Sequence, residues 1–90
     1  MVTTYHVDFS PEAETSLSHL DKQIAQRVMD RIKWLGLHVE DVNHKALTGR
    51  LRGAFKLRVG DYRVVYELKH KDTILTIRFI GHRSEVYKPG

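Results

Sequence analysis

The sequence contains no cysteine, only two prolines and one tryptophan, and no apolar run longer than a few residues. Without cysteine there is no disulfide, thiolate nucleophile, zinc knuckle or iron–sulfur cluster, so stability has to come from packing. Without a long apolar run no segment reads as a membrane span. The N-terminus reaches Asp8 before any hydrophobic stretch develops and has no basic start, so it lacks the pattern of a secretory signal. The expected location is the cytoplasm, with no membrane partner.

What is present suits one domain over residues 1–90. The 90 residues are 41% hydrophobic and 29% charged, too apolar for a disordered chain and too few for two cores. No repeat or linker divides them. The net charge of +4 is unevenly placed. Residues 1–44 hold four Lys/Arg against seven Asp/Glu, a net −3, whereas residues 45–90 hold eleven against four, a net +7. The second half is therefore the candidate anion-binding half. A phosphate-rich partner is one account of that charge and solubility is the other.

Hydrophobic periodicity predicts an α+β fold. Tyr5, Val7 and Phe9 alternate with His6 and Asp8, giving a strand over residues 3–9. Ser10-Pro11-Glu12 supplies an N-cap hydroxyl, a proline at the first helical position and an acid at the positive end of the helix dipole. Ala13, Leu17 and Leu20 share one side of the resulting helix. Asp21 offers a second cap, followed by the stripe Ile24, Val28, Ile32 and Leu35, and the second helix is expected to end near Gly36. Trp34 lies near that stripe and reads as packing.

The remainder predicts a three-stranded antiparallel meander. Phe55, Leu57 and Val59 alternate with Lys56 and Arg58, and Gly60-Asp61 suits a type II′ hairpin turn. Tyr62 to Leu68 and Thr73 to Ile80 follow, joined by a turn over residues 69–72. This hairpin places Arg58 opposite Arg63 and Lys56 opposite Val65. Pairing Leu68 with Thr73 would put Arg63 opposite Arg78 and Phe79 on the apolar face, with the helices covering that face. Lys56, Arg58, Arg63 and Arg78 then share the solvent face, with only Glu67 to offset them. Like charges directly opposed cost roughly 0.2–1 kcal/mol per pair. Arginine presents planar, multi-donor hydrogen bonding suited to phosphate oxygens, so this face reads as a polyanion site rather than a solvated surface.

Beyond the last strand the order Gly81-His82-Arg83-Ser84-Glu85-Val86-Tyr87 becomes specific. Together with Arg50-Leu51-Arg52-Gly53, Phe55-Lys56-Leu57-Arg58 and Gly60-Asp61-Tyr62-Arg63-Val64-Val65-Tyr66, it resembles the RelE/ParE superfamily of bacterial and archaeal toxins, most closely the RelE-type messenger-RNA interferases. The resemblance runs from Ser10-Pro11 to Tyr87. It implies a two-helix hairpin on a small antiparallel sheet, and a toxin of a type II toxin–antitoxin system that enters the ribosomal A site and cuts mRNA there. The implied partners are the ribosome, mRNA and a small, acidic, RelB-like antitoxin. That antitoxin wraps and neutralises the toxin, and operator DNA is bound only through their complex. The family's catalytic groups fall here on Lys56, Arg58, Arg63, Arg83 and Tyr87. Arg58 stands where the family usually has a second lysine, which keeps the charge but removes a group able to lose a proton.

Metal-free RNA cleavage needs attack by the adjacent 2′-hydroxyl on phosphorus, donors for the growing phosphoryl charge, and a proton for the leaving 5′-oxygen. Arg58 and Arg63 are assigned to the charge, and Lys56 to the 2′-hydroxyl proton, since neighbouring cations disfavour one more positive charge. Arg83 is assigned as proton donor or phosphate clamp, and Tyr87 to orienting the 2′-hydroxyl or stacking on a base. His82, beside Arg83, is a second-tier acid–base candidate. Lys45, Arg50, Arg52 and Arg78 are candidate RNA contacts. His6, His19, His38, His44 and His70 share no ligand spacing, so no metal and no cofactor is expected. A gyrase-directed ParE-type toxin and a non-catalytic RNA-binding module are the competing readings.

Overall fold

Residues 3–86 are described by the structure, a computed structural model. A parallel edge strand, β1 (His6–Phe9), is followed by α1 (Pro11–Ser18) and α2 (Lys22–Leu37). Then come a two-residue strand β2 (Lys45–Ala46), β3 (Phe55–Val59), β4 (Tyr62–Lys69), β5 (Ile74–His82) and a one-turn helix α3 (Arg83–Val86). The five strands form one mixed sheet in the order β1-β5-β4-β3-β2. The α+β class, the helical hairpin and the meander are as the sequence predicts. The parallel β1–β5 pairing and β2 are additions to that expectation.

The first helix begins as its sequence dictates. Ser10 Oγ accepts the Ala13 N–H at 3.0 Å and donates to the Arg78 carbonyl at 2.7 Å, so one hydroxyl caps α1 and ties it to β5. Asp21 makes no side-chain cap bond; its carbonyl takes the Ala25 N–H at 2.8 Å. The helix α2 continues through Gly36 because that residue is a contact point. The Tyr5 N–H reaches the Gly36 carbonyl at 2.9 Å. A Cβ on Gly36 would lie 3.2 Å from Val7 Cγ2. Trp34 departs from the packing expectation: it points about 100° off the buried stripe and is 39% exposed, stacked on His38 at 4.5 Å under the Arg31 guanidinium.

Val28, Ile32 and Leu35 from α2 and Ala13 from α1 close over Leu57, Val59, Val64, Tyr66, Leu75, Ile77 and Ile80 of the sheet. The buried Tyr66 hydroxyl is satisfied by His44. His44 Nε2–H donates to the Val39 carbonyl at 2.8 Å, which leaves Nδ1 to accept the tyrosine proton. Burial pushes the Tyr66 pKa up to about 12, because a phenolate there would lose its water. Similarly Tyr5 bonds His70 Nδ1 at 2.8 Å and fastens the chain before β1 to the β4–β5 turn.

The first hairpin has the predicted register, with Arg58 opposite Arg63 and Lys56 opposite Val65. Gly60 takes φ +59° and Asp61 does not share the positive φ, as a type II′ turn requires. The second hairpin does not have the predicted register. Its turn is His70–Thr73, with Thr73 at φ 51°, so Leu68 faces Leu75 rather than Thr73. A bulge between Val65 and Tyr66 then moves the pairing one residue further on β5, leaving Val65 opposite Phe79 and Arg63 opposite Gly81. The bulge allows Ile77 and Ile80, three residues apart, both to reach the core. Phe79 goes to the opposite face, contrary to the simple alternation.

Candidate RNA-binding site

The face of the sheet turned away from α1 and α2 carries two cross-strand rows. One runs Lys45, Lys56, Val65, Phe79; the next runs Arg58, Arg63, Gly81. Lys45, expected only as an outlying RNA contact, is thus brought directly across from Lys56 by the short strand β2. Two ammonium and two guanidinium groups occupy adjacent rows.

The two arginines of the second row are not equivalent. Arg58 is exposed, as expected. Arg63 is 8% exposed, which corrects the expected solvent-facing side chain. Its NH1 donates to the Gly60 and Tyr62 carbonyls at 2.9 Å each, folding the guanidinium back onto the hairpin turn. The helix α3 returns over β4 and β5: a Cβ on Gly81, the partner of Arg63, would meet Val86 Cγ2 at 3.4 Å. The physical reason is that a guanidinium folded under a covering helix loses water and must find carbonyl acceptors, which the hairpin supplies in Gly60 and Tyr62.

Arg83 opens α3 beside the same turn. Its backbone N–H bonds the Asp61 carbonyl at 2.8 Å, and its Nε lies 4.0 Å from Asp61 Oδ1, both side chains well exposed. So Arg83 and the Arg58–Arg63 row meet at one end of the sheet. His82 pairs with Tyr62 and packs edge-on against its ring at 5.5 Å. Strand alternation puts Tyr62 on the side of Val64 and Tyr66, so His82 lies at the sheet end toward the helix side, not over the arginine row. Its Nδ1 accepts the Ser84 N–H at 3.2 Å, which places the neutral ring's proton on Nε2. Tyr87 lies outside the described residues.

Arg78 is separated from Arg63 by the bulge, correcting the expected three-strand stack of cations. It lies beside Glu67 at 3.8 Å, an exposed pair of small energetic weight. Arg50, on a 3-10 turn over Gly49–Leu51, and Arg52 are exposed. The loop that carries them is closed by Leu47 N–H to the Ala54 carbonyl at 3.0 Å and uses left-handed Gly49 and Gly53.

Periodicity did not reveal a small apolar cluster in the middle of this cationic face. Ala54, Val65 and Val86 are buried there, with Leu47 and Phe79 against them. Val65 opposite Lys56 was the one visible signal; the bulge hid Phe79. No group of three or more His, Asp or Glu among the described residues is arranged to hold a metal. No helix among them is long and apolar enough to cross a membrane.

The sequence matches the family of the ParE toxin of the type II toxin–antitoxin system parDE over residues 7–87. Among solved structures, the fold is similar to the RelBE2 toxin–antitoxin complex from Mycobacterium tuberculosis, with 28% identity over 93% of this chain and 97% of that one and a TM-score of 0.81. The archaeal RelE–RelB complex from Pyrococcus horikoshii OT3 shares 28% identity over 89% and 96%, with a TM-score of 0.71. The isolated E. coli RelE toxin, 20% identical over 92% and 90% with a TM-score of 0.69, is similar in fold. No curated protein matches the sequence.

Proposed function

The chain belongs to the ParE toxin family of type II toxin–antitoxin systems, and on that premise we propose that it is a ribosome-dependent endoribonuclease that cuts mRNA in the A site. The observation that carries this reading is the meeting of Arg58, Arg63 and Arg83 at one end of a sheet face whose next row holds Lys45 and Lys56. A phosphodiester laid along these rows has cations for the non-bridging oxygens and an amine for the proton.

In the proposed reaction the 2′-oxygen attacks phosphorus, Lys56 takes its proton, and the bond to the 5′-oxygen breaks to leave a 2′,3′-cyclic phosphate and a 5′-hydroxyl. The exposed Arg58 meets the phosphoryl oxygens directly. Arg63 adds charge from beneath and holds the turn; it acts as a positioning residue through the Gly60 and Tyr62 carbonyls. Arg83 serves as a phosphate clamp, since a guanidinium does not give up its proton. The leaving 5′-oxygen takes its proton from solvent, since His82 lies toward the helix side of the sheet end rather than over the arginine row, and Tyr87 orients the 2′-hydroxyl. None of these groups is a strong neutral-pH base, so positioning by the ribosome supplies much of the rate.

The proposed partner is a small acidic RelB-like antitoxin that neutralises the toxin in the cytoplasm and binds operator DNA together with it. Expression of the chain alone should arrest growth, with rescue by the antitoxin. Single-turnover assays should show cleavage on programmed ribosomes and survival of the same RNA when free. The family match to ParE favours one second reading, a toxin that acts on DNA gyrase. Loss of gyrase supercoiling in the presence of the chain, with messages on ribosomes intact, would establish it in place of the nuclease.

A further inference from the structure

The apolar cluster and the charges around it form a pocket that the cleavage reaction does not use. It has a volume of ≈ 250 Å³, with Leu51, Ala54, Val65 and Phe79 among its lining residues and Arg78 beside them, together with two carboxylates, Glu67 on the sheet and Glu12 on α1. We propose that this pocket reads one RNA base, accepting a base that bears an exocyclic amino group and disfavouring uracil. The proposal rests on the nuclease reading for the nature of the RNA, and on the pocket's own chemistry for the selectivity.

The argument begins with size. Pockets for drug-sized ligands run to roughly 300–1,000 Å³, so this one suits a fragment on the scale of a single base. Its floor comes next. Half-buried Phe79, backed by the fully buried Val65, offers a ring face within an otherwise cationic and polar surface. A phosphate has no use for such a floor, whereas the flat face of a base does. The third element is Glu67. A carboxylate repels phosphate but accepts from an amino group, the pairing by which acidic side chains select cytosine N4 and its counterparts. Uracil carries no exocyclic amino group. The Glu67–Arg78 contact, at 3.8 Å and half exposed, is weak enough for a base to replace.

Placement links the pocket to the scissile phosphate. Val65 and Phe79 continue the row of Lys56, two residues along β4 from Arg63, or about 7 Å at the rise of an antiparallel strand. A nucleotide whose base enters the pocket therefore sits next to the one whose phosphate lies over Arg58.

Two measurements on the full chain test this. In the first, side-chain NMR follows titration with trinucleotides that are 2′-deoxy at every position, and so cannot be cut, and that differ in one base. The Ala54, Leu51 and Val65 methyls should shift with adenine, guanine or cytosine, and the uracil variant should bind about 5- to 150-fold more weakly. In Glu67→Gln, whose amide both donates and accepts, that ratio should fall to within about threefold. Thermal melting checks the fold, with Glu67→Ala as a second variant. In the second measurement, an A-site codon library on programmed ribosomes should show cleavage at uracil-bearing codons rising, relative to the others, in Glu67→Gln.

Shifts confined to Lys45 and Arg58, with the pocket methyls unmoved, would overturn the proposal whatever happens to cleavage. Equal shifts with all four bases would overturn the selectivity. Base-selective shifts without cleavage by the wild-type chain would end the nuclease reading and leave the pocket standing.

Discussion

The two faces of the sheet are built on different rules. On the helix side Val64, Tyr66, Leu75, Ile77 and Ile80 meet Val28, Ile32 and Leu35, and the one polar group among them, the Tyr66 hydroxyl, is bonded to His44. On the other side Lys45 faces Lys56 and Arg58 faces Arg63, pairings that oppose folding. The first face is arranged for stability, and it carries enough to let the second hold unfavourable charge. The difference also divides the arginines. Arg58 belongs to the open face in both position and exposure, whereas Arg63 faces the same way but is built into the fold.

The largest expected effects probe that division. Truncating Arg58 to alanine should reduce single-turnover cleavage on programmed ribosomes by about 100- to 1000-fold, the usual cost of one donor to a developing oxyanion, with a melting temperature unchanged or slightly raised as the repulsion with Arg63 is relieved. Arg63→Ala should also lose cleavage, and in addition should lose roughly 1–3 kcal/mol of stability in chemical denaturation, because two turn carbonyls lose a charged donor. Equal stability of the two variants would show that the arginines are alike and would break the comparison.

On the helix side, Ile77→Ala should cost about 2–5 kcal/mol, the range for emptying a packed aliphatic site. A loss below about 1 kcal/mol in urea titration would mean that this face does not carry the fold.

The pH dependence is somewhat smaller. Tyr66 keeps its proton in the fold up to about pH 12, against about 10 for an exposed tyrosine. The folded state therefore binds the extra proton between those values. Its contribution is fully present below pH 10 and is lost as pH rises toward 12, by about 3 kcal/mol at the limit. Melting curves from pH 9 to 12 should fall more steeply for the wild type than for Tyr66→Phe, and parallel curves would refute the assignment. The smallest effect is at the open edge: Arg78→Ala should alter stability by less than about 0.5 kcal/mol, since its exposed partner Glu67 lies 3.8 Å away.

Much of the fold was legible because the signals are local. The Ser10-Pro11 cap, the 3.6-residue stripe of α2 and the Gly60-Asp61 turn each specify an element within a few residues, and the turn in turn fixes Arg58 against Arg63. The candidate site was only partly legible. Apolar residues occur on both phases of Ile74-Leu75-Thr76-Ile77-Arg78-Phe79-Ile80, so alternation could not say which faced the core.

By itself, the sequence determined two helices, a meander and a half of the chain rich in cations, because periodicity and capping act between near neighbours. Only the tertiary structure decided the β4–β5 register. That register depends on the left-handed Thr73 in the turn and on a bulge that brings Ile77 and Ile80 together into the core. From that choice follow the separation of Arg78 from Arg63, the exit of Phe79 to the cationic face and the pocket over Val65. The burial of Arg63 was decided there too, since its partners are turn carbonyls and a covering helix that no spacing between residues announces.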